Sequence, residues 1–182
     1  MKRNLEAFTQ GDFSRGAPSW KEALWVVVKC LFFTTALPFP SSLRAVLLRA
    51  FGARIGHSLT IRSRVDIHFP WKLTIGDNVW IGDGARILSL ASVEIGSNVC
   101  ISQEVFLCTG SHDYRKESFD LITKPIHIAD GAWLSARVFI APGVSIGAES
   151  VISAGAIVFH DVPENVLVRG NPAIVVRKLS DS

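Results

Sequence analysis

An aliphatic residue recurs at every sixth position through most of this chain, a spacing that excludes most folds. Hexads open at Ile55, Ile61 and Ile67, at Ile75, Ile81 and Ile87, and at Ile95, Ile101 and Leu107. A second run opens at Ile128, Leu134, Ile140, Ile146, Ile152 and Val158. A period of six is the repeat of a hexapeptide solenoid, in which each hexad supplies a short strand and a turn, and three hexads complete a coil. The aliphatic positions then stack inward from coil to coil. Starts at 55, 75 and 95 lie three hexads plus two residues apart, whereas the second run keeps a strict six. Asp77-Asn78, Ser97-Asn98 and Asp130-Gly131 supply turn residues that tolerate a left-handed backbone at corners. The expected organisation is an N-terminal arm over 1–54, a β-helix over 55–168 with an inserted loop at 109–127, and a tail over 169–182.

Ahead of the repeat, residues 1–18 read as an irregular arm. Ser19-Trp20-Lys21-Glu22 has capping-box spacing and predicts a helix from there through Phe33, ending before Pro38. Ser41 or Ser42 is expected to cap a second helix whose apolar face is Leu43, Val46, Leu47 and Ala50, with Gly52 ending it. The first helix is shorter than the roughly 20 apolar residues of a membrane span and contains Lys29. Two readings of residues 19–40 stand above a span: packing against protein, and a peripheral membrane contact. Eight Lys/Arg against three acidic residues in 1–54, ahead of a slightly acidic body, suit an anionic surface; an ordinary solvated charge bias remains open. A hydrophobic fraction of 48% with only 19% charged residues calls for a large buried area and argues against disorder. Cys30, Cys100 and Cys108 show no paired spacing, so neither a disulfide framework nor a zinc knuckle is expected. The apolar run starts only at Ala23 without a following cleavage site, so no signal peptide is read. A cytoplasmic protein, peripheral at most to the inner face of the cell membrane and with no nucleic-acid partner, is expected.

Between Leu107 and Ile128 the hexads stop. The excursion contains His112, Asp113, Tyr114, Arg115, Lys116, Glu117, Asp120 and Lys124, and a long insertion in a solenoid usually lies on its binding face. Imidazole is the side chain whose ordinary pKa suits proton removal near neutral pH. His112 is therefore the candidate base. Asp113 could orient it or meet substrate, and Tyr114 could line a pocket or anchor the loop.

Ile75-Gly76-Asp77-Asn78-Val79-Trp80-Ile81-Gly82, Ile128-Ala129-Asp130-Gly131-Ala132-Trp133-Leu134 and Ile140-Ala141-Pro142-Gly143-Val144-Ser145-Ile146-Gly147 resemble the hexapeptide-repeat acyltransferases. Thr109-Gly110-Ser111-His112-Asp113-Tyr114, with Ser102-Gln103 and Phe69-Pro70-Trp71, is similar to the colanic-acid and exopolysaccharide acetyltransferases among them. The resemblance implies a left-handed parallel β-helix, a homotrimer, acetyl-CoA as acyl donor without a metal, and a sugar or glycan hydroxyl as acceptor. It places the catalytic base at His112, working by direct transfer without an acyl-enzyme. Ala136 and Ala154 match positions along the thioester and pantetheine arm, and Trp133 a wall of that channel. Phe159, His160 and Arg177 match the nucleotide end. The family pattern is broken at His160, where relatives often carry lysine, and at Ile174, where sugar acetyltransferases carry another arginine. Gly82 stands where the maltose and galactoside enzymes have an acceptor-binding asparagine, which leaves Asp83 beside it as a candidate acceptor contact. Rival readings are acetylation of a xenobiotic, acetylation of an amino group on a nucleotide-linked sugar, and a non-catalytic scaffold. A zinc hydratase on the same fold needs three histidines, two of them closely spaced, and His57, His68, His112, His127 and His160 lack that spacing.

Overall fold

A computed structural model describes residues 3–11 and 13–179; the charges counted at Lys2 and Asp12 and the end of the tail, residues 180–182, lie outside them. The hexads fold into a parallel β-solenoid with three sides. The first stacks Arg54–Ile55, Leu73–Ile75, Val93–Ile95, Ile126–Ile128 and Ser145–Ile146. The second stacks Thr60–Ile61, Trp80–Ile81, Cys100–Ile101, Trp133–Leu134, Val151–Ile152 and Val166–Gly170, with Ala173–Lys178 antiparallel at its edge. The third stacks Asp66–Ile67, Arg86–Leu88, Phe106–Cys108, Phe139–Ile140 and Ile157–Val158.

Register keeps the leading aliphatic residues in columns, as in Ile61, Ile81, Ile101, Leu134 and Ile152, each no more than 1% exposed. Two residues per strand suffice because every coil lends its apolar side chains to the next. The glycine after many of these residues is required by the stacking: a Cβ on Gly76 would lie 2.6 Å from Ser97 Oγ and 2.8 Å from the Gly96 carbonyl carbon. Asn78 and Asn98 take the left-handed backbone at successive corners, with φ of 57° and 59°, and the Asn78 amide donates to Asn98 Oδ1.

The surplus residues of the first three coils all fall at the corner between the third side and the first. Pro70–Lys72 makes a 3-10 turn there, Ser89 to Ser92 bulge one coil on, and the long insertion follows at the third. Buried Ser89 binds this corner by accepting from Phe69 N and donating to Phe69 O.

Two helices, α1 (Ser19–Phe32) and α2 (Ser41–Ala50), cover the open end of the first coil. Trp25 is fully buried against Phe33 and Phe51 and donates its indole N–H to Ile67 O. Two local expectations fail. Pro18 takes the N-cap of α1 and Glu22 pairs with Arg15, so the capping box does not form. In α2 the face that packs is Arg44, Ala45 and Leu48, and Leu43 and Val46 turn outward. The reason is Arg44, 1% exposed, whose guanidinium donates to Phe32 O, Ile61 O and Leu37 O and locks α2 to both the end of α1 and the first coil. Among the described residues no helix is long and apolar enough to cross a membrane.

Candidate active site

The insertion is not irregular. Gly110–His112 pairs antiparallel with Leu121–Thr123, His112 opposite Leu121, so the chain leaves the third side, makes a hairpin and returns to the first. Its root is fixed by buried Thr109, whose hydroxyl accepts from Ala91 N and whose carbonyl accepts from Lys124 N. Its tip is closed by Asp113 N–H donating to Asp120 O at 2.8 Å. The Asp113 carboxylate accepts from the backbone N–H and the guanidinium of Arg115, which hold it below the usual carboxylate range. Asp120 is drawn down to about 2 by hydrogen bonds from Ser118, Lys116 and Thr9, and the same contact raises Lys116.

His112 is half-buried at the end of the first hairpin strand. Its Nδ1 lies 3.0 Å from Phe119 O, and its ring stacks on the Phe119 ring at 4.4 Å and 3° between planes. A carbonyl can only accept, so Nδ1 carries the proton and the neutral ring keeps its lone pair on Nε2. Phe119 itself sits at a φ of 51°, unusual for an aromatic residue. The orienting partner of the imidazole is thus a backbone carbonyl, while the Asp113 carboxylate is taken up by Arg115.

Between the hairpin and the outer surface of the third side runs an open cleft of about 470 Å³ lined by His112, Asp113, Tyr114, Arg115, Lys124 and the apolar Phe139, Pro142 and Phe159 among others. It has an imidazole, two cations and an apolar floor. A second hollow, of about 560 Å³, lies on the flat first side near His127 and Glu94. There the imidazole meets an exposed carboxylate 3.2 Å away, and no residue of the hairpin, 110–123, shapes the hollow.

The remaining candidates lie elsewhere on the prism. Trp133 is exposed on the second side and donates to Ser102 Oγ; Ala136 and Ala154 follow one above the other at the corner between the second and third sides. Beside Ala154, a Cβ on Gly155 would meet nothing within 4 Å, so this corner leaves room for a ligand chain. His160 is exposed just beyond Phe159, and Arg177 is exposed on the last strand. Asp83 forms a 3.6 Å ion pair with Arg62, beside a cleft of about 440 Å³ around Trp80 and Gly82. Within one chain, then, His112, Asp113, Tyr114 and Phe159 share a cleft; Trp133, Ala136, Ala154, Arg177 and Asp83 do not line it. Among the described residues no three His, Cys, Asp or Glu side chains converge as a metal site requires. Phe119 had no sequence signal as a site residue, because it contributes a backbone atom; nor did Phe139 and Pro142, which read only as repeat residues.

Residues 72–107 and 125–160 match the family described as hexapeptide repeat of succinyl-transferase. The chain is 42% identical over 97% of both lengths to WcaF of Escherichia coli, named as a colanic acid biosynthesis acetyltransferase. It is 32% identical to the galactoside O-acetyltransferase of Escherichia coli, over 82% of this chain and 75% of that one. A hexapeptide-repeat acetyltransferase of Vibrio cholerae, solved in complex with acetyl-CoA, superposes with a TM-score of 0.83 over 97% of both chains at 29% identity.

Proposed function

This chain belongs to the hexapeptide-repeat acetyltransferases, and from that premise we propose that it moves an acetyl group from acetyl-CoA to a sugar hydroxyl of an exopolysaccharide or its lipid-linked precursor, with His112 as general base. The observation that carries the reading is the hydrogen bond from His112 Nδ1–H to Phe119 O, which leaves Nε2 as the basic atom beside the cleft. Acetyl-CoA supplies the acyl group as an activated thioester. Nε2 removes the acceptor hydroxyl proton as that oxygen attacks the carbonyl carbon, and the imidazolium returns the proton to the departing thiolate. Arg115 and Lys124 at the rim offer positive charge to the anionic donor. No cysteine is needed as a nucleophile: Cys108 is buried with its thiol directed to Gly110 O, and Cys100 faces the second side.

The sugar acceptor rests on the relatives, one named for colanic acid and one for galactoside O-acetylation. Trp133, Ala136, Ala154, Phe159, His160 and Arg177 are the proposed donor contacts, and Asp83, Asp113 and Tyr114 the acceptor contacts. A homotrimer reconciles these sets: base and proposed donor corner lie on different edges of one prism, and a rotational neighbour can bring a second copy's corner to the hairpin. We also propose peripheral membrane contact through α1, where Trp20, Leu24, Val27 and Leu31 form an exposed apolar stripe at helical spacing.

The deciding experiment follows CoA release and acetyl uptake with lipid-linked glycan repeat units as acceptors. His112→Ala should lower kcat by about 10²- to 10⁴-fold with acetyl-CoA binding retained; turnover at the parent rate would remove His112 from the chemistry. A Leu24→Glu, Val27→Glu variant should lose binding to anionic vesicles, and equal binding by the parent and this variant would remove the membrane contact.

A further inference from the structure

Resting on the reading of His112 as the base, we infer that the N-terminal arm is part of the site: Phe8 and Thr9 are positioning residues that hold the His112 imidazole in the tautomer with its lone pair on Nε2. The arm lies more than a hundred residues upstream of the hairpin yet contacts it along the whole tip. Asn4 N–H donates to Glu117 O at 2.9 Å, and the Arg3 guanidinium sits 5.0 Å from the centre of the Phe119 ring. A short 3-10 turn, Leu5–Ala7, capped by the Asn4 side chain, then brings Phe8 against His112 with ring centres 5.8 Å apart. Thr9 follows with two bonds: its carbonyl accepts from Leu121 N and its hydroxyl donates to Asp120 Oδ1 at 2.9 Å.

These contacts bracket Phe119. Glu117 lies on one side of it and Asp120 and Leu121 on the other, while its ring receives Arg3. Phe119 is also the residue whose carbonyl sets the His112 tautomer, and its φ of 51° is a backbone state an aromatic residue leaves readily unless its neighbours hold it. Inside the hairpin tip, the Phe119 N–H donates to Lys116 O at 3.2 Å, and the Asp113–Asp120 backbone bond and the Lys116–Asp120 ion pair help, but residues 114–117 of the tip are exposed. The arm adds an outer clamp and an apolar ring beside the imidazole. Further along, the arm is itself tied down: Phe13 stacks on Phe69, and Trp71 Nε1 donates to Arg15 O. The strap therefore runs from the widened solenoid corner to the catalytic hairpin.

The test uses the full chain labelled with ¹⁵N-histidine and reads the His112 tautomer by long-range proton–nitrogen correlation at a pH where imidazole is neutral; a His112→Gln sample identifies its signals. The parent should show the Nδ1–H form. Thr9→Val and Phe8→Ala should shift His112 toward the Nε2–H form that predominates in water and lower kcat by about five- to tenfold, a fold-change typical of losing one hydrogen bond, with KM for acetyl-CoA unchanged. Thr9→Ser should restore both readouts. A parent-like tautomer and kcat in both variants would overturn the inference. A shifted tautomer with unchanged kcat would leave the clamp standing and instead remove His112 as the base.

Discussion

Replacing Arg44 by leucine isolates the bond between the helical cover and the first coil. In the parent, Arg44 Nε donates to Phe32 O at 2.8 Å, Nη1 to Ile61 O and Nη2 to Leu37 O, both at 3.1 Å. Ile61 O keeps the Ser41 hydroxyl and Leu37 O keeps Phe39 N in the variant, but Phe32 O has no other donor among the described residues. One orphaned carbonyl costs about 1–3 kcal/mol, and the two lost charge-assisted bonds add roughly 1 kcal/mol more, about 3 kcal/mol together. For a chain of this size that lowers Tm by roughly 6–12 °C. Arg44→Lys should lose nearly as much, because a single ammonium cannot reach three carbonyls in a plane. Burial lowers the Arg44 pKa, yet a guanidinium stays charged at any working pH, so the penalty should not vary between pH 6 and 8. Thermal unfolding followed by circular dichroism measures it. A leucine variant as stable as the parent would show that desolvating the guanidinium cancels its three bonds, and would refute Arg44 as the lock.

Ser89→Ala should cost about 2 kcal/mol, since it leaves the buried Phe69 N–H without an acceptor while Phe69 O keeps Lys72 N; chemical denaturation reads it. Gly96→Ala places a Cβ 2.8 Å from Asp130 N, against backbone that cannot yield, and should cost about 2–3 kcal/mol; Gly155→Ala meets only open space at a φ of 70°, should cost about 1 kcal/mol, and serves as the comparison. For pH, the Asp120 value is depressed to about 2, so its native partners favour the ionised form. Its contribution is fully present above the unfolded carboxylate value near 4 and is lost as the pH falls through about 2. The protection factor of the Asp113 amide should therefore hold down to about pH 4 and fall below it, and Asp120→Asn should leave only the part contributed by Asp113, itself held low by Arg115.

The coils were legible because the period of six survives unchanged from sequence into register: Ile81, Ile101, Leu134 and Ile152 are each six-residue leaders and also pairing partners. The extent of α2 was legible too, but its inward face was not, because the helix offers two apolar stripes. Leu43, Val46, Leu47 and Ala50 form the more apolar one, but Ala45 and Leu48 share a face with Arg44, and the need of Phe32, Leu37 and Ile61 for a donor decides which face turns inward. That need belongs to backbone atoms of other segments and cannot be read from the helix itself. The same holds at the site. His112 stood out as a histidine in a break of the repeat, whereas the carbonyl of Phe119 that orients it and the Phe8-Thr9 pair that braces it carry no local mark.

The position of the hairpin, unlike its partners, is written in the hexads. Surplus residues follow Ile67, Ile87 and Leu107, the third leader of each of the first three coils, and none follows Ile140. Insertions after the same leader must emerge at the same corner, one above another, because each coil repeats the turn below it. Phe69, held by Ser89 and stacked on Phe13 and Trp71, and Ala91, held by Thr109, are the successive steps of that ledge. The two small offsets thus build the support on which the third, long one can fold back as a hairpin, and they supply the surface along which the arm reaches His112. A chain whose offsets fell after different leaders would carry the same histidine on an unsupported loop.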